Sequence, residues 1–361
     1  MKKICLVDFD MSVTGGVEQV AASLANAFCS CCEVYVFEIN HGGGCAYELD
    51  DRVGFIEGAK GNTRLREMIS ATFGSFIRFV KEKKIDVVLM MGNYPALIVS
   101  FTRFFTKARY VYCDHGALMN QWAQKDITAI RYWDAFAAHR IIVLTEKTRQ
   151  DYIKKFRVNP QKIQCIYNWV DPEIAGCRRS YRKDSRKILS VGRFGKEKGY
   201  DMLVEMAHRV LPQYPGWEWD VYGTGETFGE IQAQVKEYRL EGQLHLKGNV
   251  KNAYRLYSEY AFLVLPSYRE GLPIVLLEAL ALGIPMISFD IETGPNEIIQ
   301  DGKNGYLIPP YDLDGMCGRI EELICNPELR CALSAGTAEG TAKFEKTEIF
   351  SQWMALIDSI A

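Results

Sequence analysis

The chain is 361 residues long, which favours two domains over one, and its apolar content of 48% is ordinary for a globular protein. No segment approaches the ~20 consecutive apolar residues of a membrane span, and no nucleic-acid recognition motif accompanies the aromatics, which sit at core spacing. The net charge is −2, and eleven irregularly spaced cysteines suggest free thiols in a reducing cytosol.

Met1-Lys2-Lys3 leads only into Ile4 to Val7 before Asp8, too short a run for a signal-peptide core. Short apolar runs then alternate with amphipathic stretches, which predicts an α/β class with parallel sheets. Strands are expected at 4–9, 34–39, 53–56, 87–91, 110–113 and 141–144, with helical periodicity at 17–29, 65–81 and 127–138. Cys29 and Cys32 have no second pair or His cluster to complete a zinc site, and read as small buried residues at a helix end. A second series of strands is expected at 188–191, 219–222, 244–246, 262–265 and 286–289. Between the series, 171–187 carries Pro172, Gly176 and a run of Arg and Lys with little apolar content, the composition of a linker.

Charge is unevenly spread. Residues 60–162 hold 19 basic and 8 acidic side chains, a local excess of eleven. Within them, 64–84 reads as a helix with an apolar side (Leu65, Met68, Ile69, Phe76, Phe79) and basic ends (Arg64, Arg66, Arg78, Lys81, Lys83, Lys84), and 98–109 is similar. Such surfaces suit anionic lipid headgroups or a phosphorylated partner, although a solvated helix over an ordinary core has the same pattern.

Several segments at strand ends carry chemistry. The first, DMSVTGGVE at 10–18, puts Gly15 and Gly16 before a helix whose N-terminal N–H groups could meet a phosphate. VGRFGKEKG at 191–199 places Arg193 and Lys198 in a glycine-bearing loop suited to a diphosphate. YGTGE at 222–226, with Gly229, misses the dinucleotide spacing by one, so a nicotinamide enzyme fits poorly. The most specific stretch is SYREGLPIVLLEALALG at 267–283. There Pro273 opens and Gly283 closes a helix that is apolar but for Glu278, with Glu270 in the loop above. A lone carboxylate among leucines is costly unless paired, so two acids and a helix end point to a polyhydroxylated phosphate ligand. A plain strand–helix crossover is the simpler alternative.

Taken together, GGVE, the Arg193–Lys198 loop, YGTGE, Lys247-Gly248, the Glu270/Glu278 pair and GPNEIIQDGKNGYL at 294–307 resemble the retaining GT-B-fold glycosyltransferases of family 4. The match covers nearly the whole chain. The resemblance implies two Rossmann-like domains facing a central cleft. An acceptor-side domain would span 1–172 and a nucleotide-sugar domain 173–343, with the helix at 344–361 crossing back to the first. It implies that Glu278 binds the ribose hydroxyls and Glu270 a hydroxyl of the transferred sugar. Arg193 and Lys198 would bind the diphosphate with the N–H groups of Gly15, Gly16, Gly271 and Leu272. Gly223, Pro273 and the stretch from Gly248 to Val250 would complete the donor site, the last lining the base.

His115, in YCDHGAL, occupies the position of the family's histidine near the transferred sugar, and Asp114 is a weaker acceptor-side candidate. No nucleophile for a double displacement is apparent, so front-face transfer with retention is expected. Asp8-x-Asp10 resembles a metal signature of the other major glycosyltransferase fold, but the cationic loop supplies the same charge, so no metal or other cofactor is expected. The expected activity moves a hexose or N-acetylhexosamine from a UDP-sugar to a lipid-diphosphate-linked or growing surface glycan. It would act in the cytoplasm, at the inner membrane face where 64–84 and 98–109 would rest, with no nucleic-acid partner. A nucleotide-sugar 2-epimerase and a non-catalytic nucleotide-sugar-binding protein share the motifs. The sugar, acceptor, linkage and oligomeric state are not fixed by them, nor is UDP firmly separated from GDP.

Overall fold

The computed structural model describes residues 1–60 and 64–360. The chain divides into two compact units, Met1–Asn168 with Ile349–Ala361, and Trp169–Glu348. Ala361 itself, the last residue of the expected returning helix, lies outside the described residues.

In the first unit the strands are β1 (Lys3–Asp8), β2 (Glu33–Glu38), the pair β3 (Asn40–His41) and β5 (Ala59–Lys60), β4 (Gly54–Ile56), β6 (Val87–Met91), β7 (Arg109–Asp114), β8 (Arg140–Val143) and β9 (Ile163–Cys165). Seven form one sheet in the order β4-β2-β1-β6-β7-β8-β9, every neighbour parallel. Helices cover both faces of such a sheet, so its strands read as continuous apolar runs. Ile4 to Val7 and Val87 to Leu89 are fully buried. The helix Lys346–Ile360 returns to this unit, where Phe350 and Trp353 pack on Phe28.

In the second unit β10 (Lys187–Val191), β11 (Glu218–Tyr222), β12 (Leu244–Gly248), β13 (Phe262–Leu265), β14 (Met286–Phe289) and β15 (Gly305–Ile308) form a parallel sheet in the order β12-β11-β10-β13-β14-β15. Both sheets start at an inner strand, run outward, then restart on its other side. Each is therefore doubly wound, with its reversal between β1 and β6 or between β10 and β13. That reversal leaves a crevice at the carboxyl ends of the two strands, where ligands bind in such folds.

Local differences from the sequence expectation have simple causes. The linker stretch holds a short helix, Pro172–Gly176, because Asp171 caps the Glu173 N–H at 2.9 Å, and the units divide at Asn168/Trp169 rather than Pro172/Glu173. The stretch at 98–107 is no single helix: Asn93–Val99 tightens into a 3₁₀ segment, Ser100–Phe104. The C-terminal helix begins at Lys346, after a 3₁₀ turn at Ala342–Phe344. Among the described residues no helix is long and apolar enough to cross a membrane.

Candidate active site

The second unit concentrates the predicted residues at its reversal. The loop leaving β10 carries Arg193 and Lys198, and the loop leaving β13 carries Glu270. Lys198 Nζ lies 2.6 Å from Glu270 Oε1, with only 19% and 9% of these side chains exposed. Ser267 Oγ donates to the same oxygen at 2.7 Å, and Thr293 Oγ1 donates to the Glu270 carbonyl at 2.9 Å. Arg193 is not brought to this pair: it is 62% exposed and bonds Glu197 at 2.9 Å.

Below Glu270 the helix Ile274–Leu282 starts one residue later than expected, with Pro273 at its cap position, and ends at Gly283 with φ +80°. It is buried almost all round, as a helix apolar at every position but one requires. Glu278 is the exception, and its Oε2 accepts from Tyr257 Oη at 2.8 Å with both side chains buried. Nothing in the sequence pattern marked Tyr257, which sits in a 3₁₀ segment, Ala253–Glu259.

Glycines let these loops interlock. Gly223 has φ +135°, and a Cβ there would stand 1.9 Å from the Gly192 carbonyl oxygen. Gly294, at φ +102°, brings its loop onto the Gly271 carbonyl and the Glu270 side chain, so GPNE buttresses the glutamate loop. Gly248 has φ +71°, and Val250 beyond it is exposed.

In the first unit Gly15 caps the helix Gly16–Phe28 with ordinary extended backbone, and the Glu18 carboxylate lies over it. Asp8 is buried, and its Oδ1 accepts from the Asp10 N–H at 3.2 Å. Burial, reinforced by Glu18, pushes the Asp8 carboxyl up to about 7. Asp10 Oδ1 is turned back onto the N–H and Oγ of Ser12.

The loop leaving β7 carries His115, whose Nε2 is sealed from solvent with no hydrogen-bond partner among the described residues. Burial outweighs the pull of Asp114 and drives the imidazole down to about 4, so it is neutral near pH 7. Asp114 corrects the expectation of an acceptor contact. It is buried, with its oxygens taken by Arg131 Nε at 3.3 Å, Tyr152 Oη at 2.6 Å and the Gly116 N–H at 3.0 Å. Arg131, itself buried, also donates to the carbonyls of Ala117 and Leu118. This core salt bridge holds the His115 loop down, and no local pattern marks it, because Arg131 lies on a helix seventeen residues away.

Among the described residues one trio could hold a cation by geometry, Glu218, Asp220 and His245. Asp220 is already met by Lys247 at 3.3 Å, His245 at 3.0 Å and Tyr260 Oη at 2.7 Å, so its charge is answered without an ion.

The model for "Glycosyl transferases group 1" matches residues 178–339, and that for "Glycosyltransferase Family 4" matches 14–174. The Erwinia amylovora amylovoran biosynthesis glycosyltransferase AmsD is 26% identical, covering 99% of this chain and 100% of its own. A Campylobacter jejuni transferase is 24% identical over 97% of each chain; its name makes it a 4-alpha-N-acetylgalactosaminyltransferase acting on a diphospho-undecaprenol-linked glycan. Among solved structures, Staphylococcus aureus TarM, crystallised with UDP and alpha-GlcNAc-glycerol, superposes with a TM-score of 0.83 at 17% identity, covering 99% of this chain and 100% of that one. Anabaena HepE, crystallised with UDP, gives 0.81 at 17% identity over 99% and 100%. With two doubly wound parallel sheets and the two family models joined end to end, the chain belongs to the GT-B glycosyltransferases of the family 4 type.

Proposed function

We propose that this glycosyltransferase moves a hexose or N-acetylhexosamine from a UDP-sugar to a lipid-diphosphate-linked or growing surface glycan, with retention and without a metal. The observation that carries the reading is the Lys198–Glu270 pair beside the second sheet's reversal. A carboxylate fixed there by Lys198 and Ser267 is an acceptor for sugar hydroxyls, and charged hydrogen bonds contribute about 1.5–3 kcal/mol each. An ammonium has three donors, so Lys198 can hold Glu270 and a diphosphate oxygen together. Charge on the departing diphosphate needs cations and amides already aimed at it. Lys198, Arg193 once it turns from Glu197, and the N–H groups of Gly271 and Leu272 would supply them in the second unit, while Gly15 and Gly16 offer N–H groups at a helix start of the first. Glu278, steadied by Tyr257, would take the ribose diol, and Gly223, Pro273 and Gly248 to Val250 would enclose the nucleoside.

His115 supports a front-face path. A neutral imidazole with a buried, unanswered Nε2 suits a hydrogen bond to the sugar rather than strong base catalysis. The leaving phosphate oxygen would then take the acceptor proton. The metal-free reading is supported by Asp10, whose Oδ1 is turned back onto Ser12, and by Asp8, whose carboxyl burial drives toward the neutral form. The donor and acceptor classes are supported by the UDP in the TarM and HepE structures and by the diphospho-undecaprenol in the Campylobacter relative's name. A cytoplasmic site at the inner membrane face follows, with 64–84 and 98–109 as the basic contact.

Thermal stabilisation across a panel of UDP- and GDP-sugars tests the donor, since a ligand of the folded state raises Tm. The anomeric configuration of product made with the stabilising sugar tests retention. A panel with no shift and no transfer to any lipid-linked glycan would overturn the reading.

A further inference from the structure

In a parallel sheet all segments leading into strands lie at one edge and all segments leaving lie at the other. The loops carrying Asp8 and His115 leave β1 and β7. The opposite edge of the first unit gathers the segments leading into β7, β8 and β9, together with the helix Lys346–Ile360.

Three cations meet at that edge. Arg103 Nη1 donates to the Ala137 carbonyl, Lys162 Nζ to the Phe136 carbonyl at 3.0 Å, and Arg140 Nη1 to the His139 carbonyl at 3.1 Å. Among the described residues none of the three has a carboxylate partner within salt-bridge distance. Their crowding shows in Lys162, which burial, then Arg103 and Arg140, lower to about 8. His139 brings no further charge, because burial, then Arg103 and Arg109, lower it to about 4. Between Arg140 and Lys162 opens a cavity of about 390 Å³, whose other polar walls are Gln161, Gln164, Gln352 and Ser359. Cations, amides and a hydroxyl with no acid make a cavity for an anion.

The surroundings narrow the anion. Phe104 and Phe136 are each 64% exposed and Phe101 is 43% exposed. They form one patch: Phe101 stacks on Trp133 at 4.4 Å, Trp133 lies 6.0 Å from Phe136, and Arg103 sits over the Phe104 ring at 5.3 Å. A clustered aromatic surface marks an interaction site, and rings beside basic groups match the boundary between headgroups and acyl chains. A soluble phosphate would need the cations and leave the phenylalanines unexplained.

The geometry points to a site for the phosphate of an anionic phospholipid, bound between Arg140 and Lys162 while Phe101, Phe104 and Phe136 enter the acyl boundary. This rests on the proposed membrane contact of 98–109 and gives it a ligand and a pocket. The test is flotation of the full chain with phosphatidylglycerol–phosphatidylcholine vesicles and with phosphatidylcholine alone, at physiological salt. The chain should bind only the anionic vesicles. Arg140→Gln with Lys162→Gln should weaken this about tenfold or more, as should Phe104→Ser with Phe136→Ser. Tm should stay near wild type, and transfer to a soluble acceptor should be unchanged. Binding that is lost in Lys81→Gln/Lys84→Gln but undiminished in the Arg140/Lys162 variant would overturn the pocket and leave the membrane reading standing. No vesicle binding by the wild type would overturn both, and stabilisation by glycerol phosphate without vesicle binding would replace the lipid with a soluble ligand.

Discussion

Lys198 and Glu270 come from loops on either side of the second sheet's reversal, and they meet at 2.6 Å. The contact joins the group assigned to phosphate charge with the group assigned to a sugar hydroxyl, so each orients the other before a donor arrives. Glu270→Gln keeps the shape and the Ser267 hydrogen bond but removes the charge. Turnover should fall about 10- to 1,000-fold with Tm nearly unchanged, read by steady-state transfer and thermal unfolding. Wild-type turnover in that variant would remove Glu270 from the chemistry.

The Glu278 carboxylate is held by Tyr257 Oη at 2.8 Å inside a buried helix, away from the Lys198 pair in chain and in partners. If it holds the ribose, it binds ground state and transition state alike. Glu278→Gln should therefore raise the donor KM about 10- to 100-fold while kcat changes little. Tyr257→Phe should have the same sign and a smaller size, with a stability loss of about 1–3 kcal/mol from the carboxylate left short of a donor. An effect on kcat alone would move Glu278 to the reacting centre.

The fold was largely legible because buried parallel strands must be apolar runs, and 87–91, 262–265 and 286–289 coincide with β6, β13 and β14. The strands missed were those whose signal is weak: β3 and β5 have two residues each, β9 has only three, and β15 lies within a stretch read for its ligand motif. Glu270, Lys198 and Glu278 were legible because a charge in a glycine loop or among leucines is conspicuous. Their partners were not. Ser267, Tyr257 and Arg131 are ordinary residues whose role depends on long-range packing, and no local pattern reports that Arg131 reaches Asp114. In sequence Asp114 ranks below its neighbour His115, but nothing local shows that it faces inward to an arginine while His115 keeps an unanswered nitrogen.

Arg131 and Asp114 form an enclosed ion pair, and removing one member strands the other. Arg131→Met should destabilise the first unit by about 3–5 kcal/mol in urea unfolding, whereas Arg131→Met with Asp114→Asn should recover part of that loss. The single variant should also loosen the 114–118 loop, whose Ala117 and Leu118 carbonyls Arg131 holds. A double variant as unstable as the sum of the singles would show that the two residues are not coupled.

Asp8 gives the first unit a pH dependence of definite sign. Burial, then repulsion from Glu18, raises its folded pKa from 3.8 to about 7, against N–H groups of Asp10 and Phe9 that pull the other way. The folded state thus holds a proton that the unfolded chain has released. The stabilising contribution is complete below about pH 4 and disappears as pH rises through 7. Asp8→Asn fixes the neutral form, so its stability advantage over wild type should grow by about 2–3 kcal/mol between pH 5 and pH 8. Urea unfolding of both proteins at the two pH values reads this directly. An advantage that stays constant, or shrinks, would mean that Asp8 is ionised at pH 5 and that some cation answers it.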